Sequence, residues 1–250
     1  MKHILCPDGQ NNLLATLSRA DLELIEPHLT PVSLTNGMVI EKPDRPTEHV
    51  VFPVSGVGSI IALGAGGRSI EAGLFGRDGM SGVSVLLGVH GTPHETRVQV
   101  PGSGVTIAGE KLRELLGQSV TLHQHLLRFV HTLMIQMGQT ALSNGQAKLE
   151  ERLARWLLMC HDRVRDDRIR LTHEFLSVML GVRRAGVTVG THLLEGKGLI
   201  RAARGEITIL DREGLEIEAK GSYGVAEAEY ARLLGSSAAE TGDVAIRRRK

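Results

Sequence analysis

The chain has 250 residues, 42% of them apolar, and a formal net charge of +1, which allows a sizeable buried core and excludes wholesale disorder. The charge is uneven: residues 1–117 carry 9 lysines and arginines against 12 acids, whereas residues 146–212 carry 13 against 9, the local basic excess of a segment that meets a polyanion. Two cysteines, Cys6 and Cys160, exclude a disulfide framework and fall short of the four thiols of an all-cysteine iron–sulfur cluster. The first apolar stretch is too short for a secretory signal, and no run approaches the ~18 apolar residues of a membrane span, so a soluble cytoplasmic protein is expected.

Residues 13–29 read as two short helices, with Ser18 capping the second and Asp21 three positions on. From Pro31 the texture becomes strand-like. "VVFPVSGVGSIIAL" and "SIEAGLF" flank a hairpin loop at Gly64 to Ser69, and "RVQVPGSGVTIAG" alternates in period two and turns at Pro101-Gly102. Short strands at this spacing predict an antiparallel sandwich or small barrel.

At Gly109 a helical pattern of some thirty residues begins. One apolar seam steps through Leu116, Val120, His123, Leu127, Val130, Met134, Met137 and Ala141. A second holds Leu115, Leu122, Leu126, Phe129 and Leu133. Two adjacent seams predict a helix that packs on one side against the barrel and on the other against a partner helix; one wide face in a single core is the alternative. Asn144-Gly145 is read as the turn that ends it. A further helix carries Leu149, Leu153, Trp156, Leu157 and Cys160 on its apolar stripe, and the small, polar sequence beyond about residue 225 is read as a mobile tail ending in the basic cluster Arg247 to Lys250.

The stretch from Leu171 to Asp211 has the parts of a helix-turn-helix. Thr172 caps a first helix with Phe175, Leu176, Met179 and Leu180 apolar. Ser177 is the small residue where a second helix crosses, Gly181 marks the turn, and Val182, Val187, Leu193 and Leu194 point inward. Arg183 and Arg184 open the second helix, where side chains of a recognition helix reach base edges and phosphates. Two strands around Arg204-Gly205 make a wing. A generic helical pair with surface arginines is the plainer alternative.

With "HVVFPVSGVGSIIALGAGGRSIEAGLFGRDGMSG", "NGQAKLEERLARWLLM" and "GKGLIRAARGEITILD" added to this motif, the chain resembles the CRP/FNR family of bacterial transcription regulators along nearly its whole length. The resemblance implies an α+β fold. Its parts are an N-terminal antiparallel β-barrel (a jelly roll of the cyclic-nucleotide-binding type) over residues 1–117, a dimerisation helix over 118–145, a winged helix-turn-helix over 146–225 and a flexible tail over 226–250. It also implies a homodimer on a two-fold symmetric duplex DNA site, contact with RNA polymerase, and no enzymatic activity. Dimerisation then falls to Leu116, Val120, His123, Leu127, Val130, Met134 and Met137. DNA contact falls to Thr172, Arg183, Arg184, Val187, Thr188, His192 and Arg204, with Ser177, Gly181 and Val182 setting the motif's angle.

The departures from the family are as informative. Members that bind cyclic AMP keep a glutamate for the ribose and an arginine for the cyclic phosphate. Here Ser81 stands near the glutamate position, Thr92, Pro93 and His94 lie near the arginine position, and Arg97 follows a threonine. Ser81, Gly82 and Arg97 are the effector-site candidates, and the expected effector is something other than cyclic AMP. No metal, iron–sulfur or haem cofactor is expected: the barrel segment has no His-x-His, and His123 and His125 are two apart on a helix and cannot share a metal. In the recognition helix Arg184 matches the family's first arginine, whereas Ala185 and Val189 replace its glutamate and second arginine, which predicts a different operator. A small-molecule- or metal-binding barrel whose C-terminal part makes only protein contacts is the competing reading.

Overall fold

A computed structural model describes residues 9–164 and 166–235. Asn11 caps the first helix, α1 (Asn12–Ala15), by accepting from the Leu14 amide, and Ser18 caps α2 (Arg19–Ile25) by accepting from Asp21. A single 3₁₀ turn then leads into β1 (Thr30–Leu34), β2 (Val39–Glu41), β3 (His49–Pro53), β4 (Val57–Leu63) and β5 (Ser69–Phe75). A short helix, α3 (Val83–Leu86), precedes β6 (Glu95–Val100) and β7 (Gly102–Ala108).

These strands form two antiparallel sheets, β1-β7-β3 and β2-β6-β4-β5. Pro101 carries the chain from one sheet to the other. Hydrogen bonding does not run continuously around the pair, so the expected barrel is a jelly-roll-like sandwich whose inner faces bury Val50, Phe52, Phe75, Val105 and Ile107. Gly58 lets the Phe75 ring pack closely on β4: a Cβ there would sit 2.5 Å from the ring and force it to shift.

The thirty-residue helical pattern is two helices, α4 (Gly109–Gln118) and α5 (Val120–Gln146). Ser119 leaves helical geometry at φ −129°, caps α5 by accepting from Leu122, and donates to Asp21 at 2.5 Å. That tertiary bond replaces the helical continuation favoured by local sequence. The predicted turn at Asn144-Gly145 does not form. Helix α5 continues to Gln146 and ends at Ala147, where the next helix takes over with Glu151 accepting from the Lys148 amide.

The predicted dimer seam also divides. Leu116 belongs to α4 and, with Val130, is buried in the protein's own core, which Leu127 and Met137 touch from its edge. His123 is half-buried, with a ring nitrogen 2.9 Å from the Leu86 carbonyl. Val120 and Met134 instead stand 68% and 65% exposed. With Leu127 and Ala141 they repeat every seven residues along one outer face, the period of a helix-pairing seam.

Helix α6 (Leu149–His161) buries Leu153, Trp156, Leu157 and Cys160. Beyond it come β8 (Arg168–Arg170), α7 (His173–Leu180), α8 (Arg184–Gly196), β9 (Ile200–Ala203), β10 (Glu206–Ile209) and α9 (Arg212–Glu218). The strands form a small sheet, β8-β10-β9, so the wing has a third strand. Sandwich residues Val57, Ile61, Leu74 and Val100 share one apolar cluster with Leu153, Trp156, Leu157 and Met179. At this junction Glu71 of β5 is buried. It accepts from Trp156 Nε1 at 2.8 Å and from the Ser59 hydroxyl, and burial pushes its carboxyl up to about 7.

The tail reading needs correction for its first ten residues. Val225–Leu234 form α10, which packs along α5, places Leu234 in the sandwich core with Tyr230 and Leu233 beside it, and sets Glu229 3.2 Å from His131. Its apolar positions find a partner only through the tertiary fold. The cluster at Arg247 to Lys250 lies outside the described residues. Among the described residues no helix is long and apolar enough to cross a membrane, and no three histidine, cysteine or acidic side chains converge as a metal site.

Candidate nucleic-acid interface and effector cavity

Helix α7 starts where Thr172 Oγ1 accepts from the Phe175 amide at 3.3 Å and ends at Gly181, whose φ of +61° is the left-handed geometry favoured by glycine. A Cβ at Gly181 would also come within 2.9 Å of Ile70 on β5. The Val182 amide donates back to Ser177 at 3.0 Å, closing the turn, and Ser177 itself donates to Glu174. The chain re-enters helix at Arg184.

Helix α8 has two distinct faces. Val187, Gly190, Thr191 and Leu194 are buried, the positions that a period near 3.6 brings to one side. Val187 has no exposure at all and makes no surface for DNA, contrary to its place among the expected contacts. Leu193 is 44% exposed and does not anchor the helix, again contrary to expectation. Gly186 and Gly190 face Leu149 and, for Gly190, Leu153 of α6, at 3.4–3.6 Å from an added Cβ. These glycines therefore lie on the side of α8 that faces α6.

The opposite face presents Arg183, Arg184, Ala185, Val189, His192 and Leu193, with Thr188 half-buried beside them. Arg184 pairs with Glu174 at 2.8 Å, both side chains well exposed, and such a pair is readily broken by a stronger anion. Thr188 Oγ1 donates to the Arg184 carbonyl at 3.2 Å and lies 3.4 Å from His173 Nδ1. At the wing, Arg204 is exposed at a tip made by Gly205 with φ +76°. The helix start thus offers cationic side chains and, at Arg183, an N-cap without a side-chain acceptor, an arrangement suited to phosphate.

A second feature lies in the sandwich. A cavity of about 200 Å³ is enclosed by β2, β4, β6, α3 and the loop after it, and is closed at the back by Leu133 and Met137 of α5. Ser81 and Gly82 line it. Arg97 does not. Strand alternation turns Thr96 inward and Arg97 outward, where it pairs with Glu95 at 2.8 Å. The carboxylate that does line the cavity is Glu41, a residue no motif singled out.

Residues 151–217 match the Crp-like helix-turn-helix domain. This part of the chain is similar to that domain. Solved structures extend the likeness to the whole fold. A putative CRP/FNR-family transcriptional regulator of Eubacterium rectale superposes with a TM-score of 0.63 at 21% identity, covering 84% of this chain and 98% of that one. A CRP-family transcriptional regulator of Thermus thermophilus gives 0.62 at 19%, covering 76% and 97%. The c-di-GMP-responsive global regulator CLP of Xanthomonas campestris gives 0.60 at 17%, covering 77% and 99%. The comparison with curated proteins gave no match. The likeness read from the motifs therefore holds: a helix-turn-helix similar to the Crp-like domain on a chain with the CRP/FNR fold.

Proposed function

We propose that this chain is a homodimeric, sequence-specific transcription regulator whose dimer forms along the outer face of α5 and whose two copies of α8 enter successive major grooves. The observation that carries the reading is the two-faced α8, with Val187 and Leu194 locked into the domain and Arg183, Arg184, Thr188 and His192 on the side away from it. Arg184 reads guanine. Thr172 and Arg204 meet flanking phosphates. The seven-residue repeat Val120, Leu127, Met134, Ala141 is the dimer seam, and the exposure of Val120, Met134 and Ala141 in a single chain supports that assignment.

The cavity behind α5 is the effector pocket, because a ligand there touches Leu133 and Met137 on the helix that would pair. Cyclic AMP is a poor fit. Among the described residues that line the cavity there is no lysine or arginine to pair with a phosphate. The protein acts in the cytoplasm without catalysis and recruits or blocks RNA polymerase. Selection of bound sequences from random duplex DNA tests the reading. It predicts enrichment of a two-fold symmetric sequence with half-sites about 10 bp apart, one turn of the duplex. A selection that enriches nothing would favour a C-terminal domain limited to protein contacts.

A further inference from the structure

The geometry points to a specific chemical class for the occupant of the cavity behind α5: a small apolar molecule carrying a protonated amine. The inference rests on reading this cavity as the ligand site. Its floor is Glu41, only 8% exposed. One carboxylate oxygen accepts from Thr47 at 3.2 Å; the other accepts from Thr96 at 2.7 Å and from the Gly82 amide at 3.2 Å. Thr47 is in turn 2.8 Å from Ser84. All three donors are neutral. They hold the carboxylate in place without cancelling its charge.

A carboxylate has about four acceptor positions, so one remains on the oxygen that only Thr47 engages. Among the described lining residues, only His94 can carry a positive charge, and its buried Nδ1 has no hydrogen-bond partner. An uncompensated buried carboxylate is costly, and a cation brought by the ligand removes that cost. The same field opposes phosphates and carboxylates. Apart from the Ser81 and Thr92 hydroxyls, the rest of the wall is mainly apolar: Ile60, Val83, Leu133 and Met137, with Leu87 and Val89 at the mouth. Leu87 and Val89 are also half exposed to solvent, as an apolar entrance would be. At about 200 Å³ the space lies below the ~300–1,000 Å³ of drug-sized sites, so the molecule is small.

The test titrates the full chain with hexylamine, hexanol and hexanoate, and with benzylamine, benzyl alcohol and benzoate, by calorimetry. The expected order in at least one series is amine over alcohol over acid, with the amine bound at least tenfold more tightly than the acid. Glu41→Gln is expected to bring the amine down to the alcohol. Val89→Trp, at an exposed position and so tolerant of substitution, is expected to close the mouth and abolish binding in both series. Thermal melts report whether each variant is folded. The proposal is overturned if the acids or cyclic AMP bind as tightly as the amines, if folded Glu41→Gln keeps the preference, or if no amine binds. DNA affinity measured with and without the bound amine separates the two claims. Amine binding that leaves DNA affinity unchanged upholds the ligand class and removes the effector role.

Discussion

Val187 and Val189 stand two residues apart on α8 and have opposite environments: the first is wholly buried and the second is exposed. That difference assigns the recognition surface one side chain at a time. Arg184→Ala is expected to relax discrimination at one G·C pair by about 1–3 kcal/mol, the usual worth of a bidentate arginine contact. Competition binding with single-base operator variants reads it, and stability should hold because the Arg184–Glu174 pair is exposed. The glycines of the same helix give an opposite kind of prediction. An added methyl at Gly186 or Gly190 meets neighbours at ordinary contact distance, and glycine costs a helix interior about 1 kcal/mol relative to alanine. Gly186→Ala and Gly190→Ala should therefore each raise stability by up to about 1 kcal/mol in denaturant melts, with DNA affinity retained. A drop in stability would mean that α8 and α6 pack more closely than these distances show.

Helix α5 is the element on which both halves depend. One face carries Leu122, Leu126, Phe129 and Leu133 into the sandwich core, one lies against α10, and the third carries the seven-residue stripe, in which Val120 and Met134 are exposed and Leu127 is half-buried. Val120→Asp combined with Met134→Asp should convert dimer to monomer in sedimentation while leaving the thermal melt of the monomer intact, since neither residue is in the core. An unchanged dimer would place the interface elsewhere. The elements that were legible in the sequence are those whose causes are local. Ser18 and Thr172 cap helices, Gly64 to Ser69 turns a hairpin, and Gly181 ends α7, because each needs only its own neighbours. The misread elements have distant causes. Ser119 breaks the long helix through a bond to Asp21, and Asn144-Gly145 stays helical. The segment at Val225–Leu234 has a local cap, with Glu227 accepting from the Gly224 amide, but is held as α10 by the sandwich core that accepts Leu234. The cavity proposed as the effector site was half legible. Ser81 and Gly82 line the cavity, but Arg97 was misplaced by one step of strand alternation, and Glu41 reaches the floor through pairings that no local pattern encodes.

At the scale of the whole molecule the two halves share a core, and Glu71 is an ionisable group buried between them, with Arg155 and Arg163 of the other half acting on it. Its pKa in the folded protein is about 7, above the ordinary 4.5, so the folded state holds a proton that the unfolded chain releases. The stability contributed by the neutral carboxyl is fully present below about pH 4.5 and is lost as pH rises through about 7. A shift of this size corresponds to about 3 kcal/mol. Denaturant melts between pH 5 and pH 8 should show Glu71→Gln gaining on the parent chain as pH rises. A constant difference would mean that Glu71 titrates normally. Helix α8, held by this frame, is proposed to read DNA. The most direct test of that proposal is the affinity of the full chain for the enriched duplex across a range of salt concentrations. Affinity should fall steeply, with the logarithm of the binding constant dropping by about 0.9 per neutralised phosphate for each tenfold rise in salt. Affinity that stays flat across salt would contradict it.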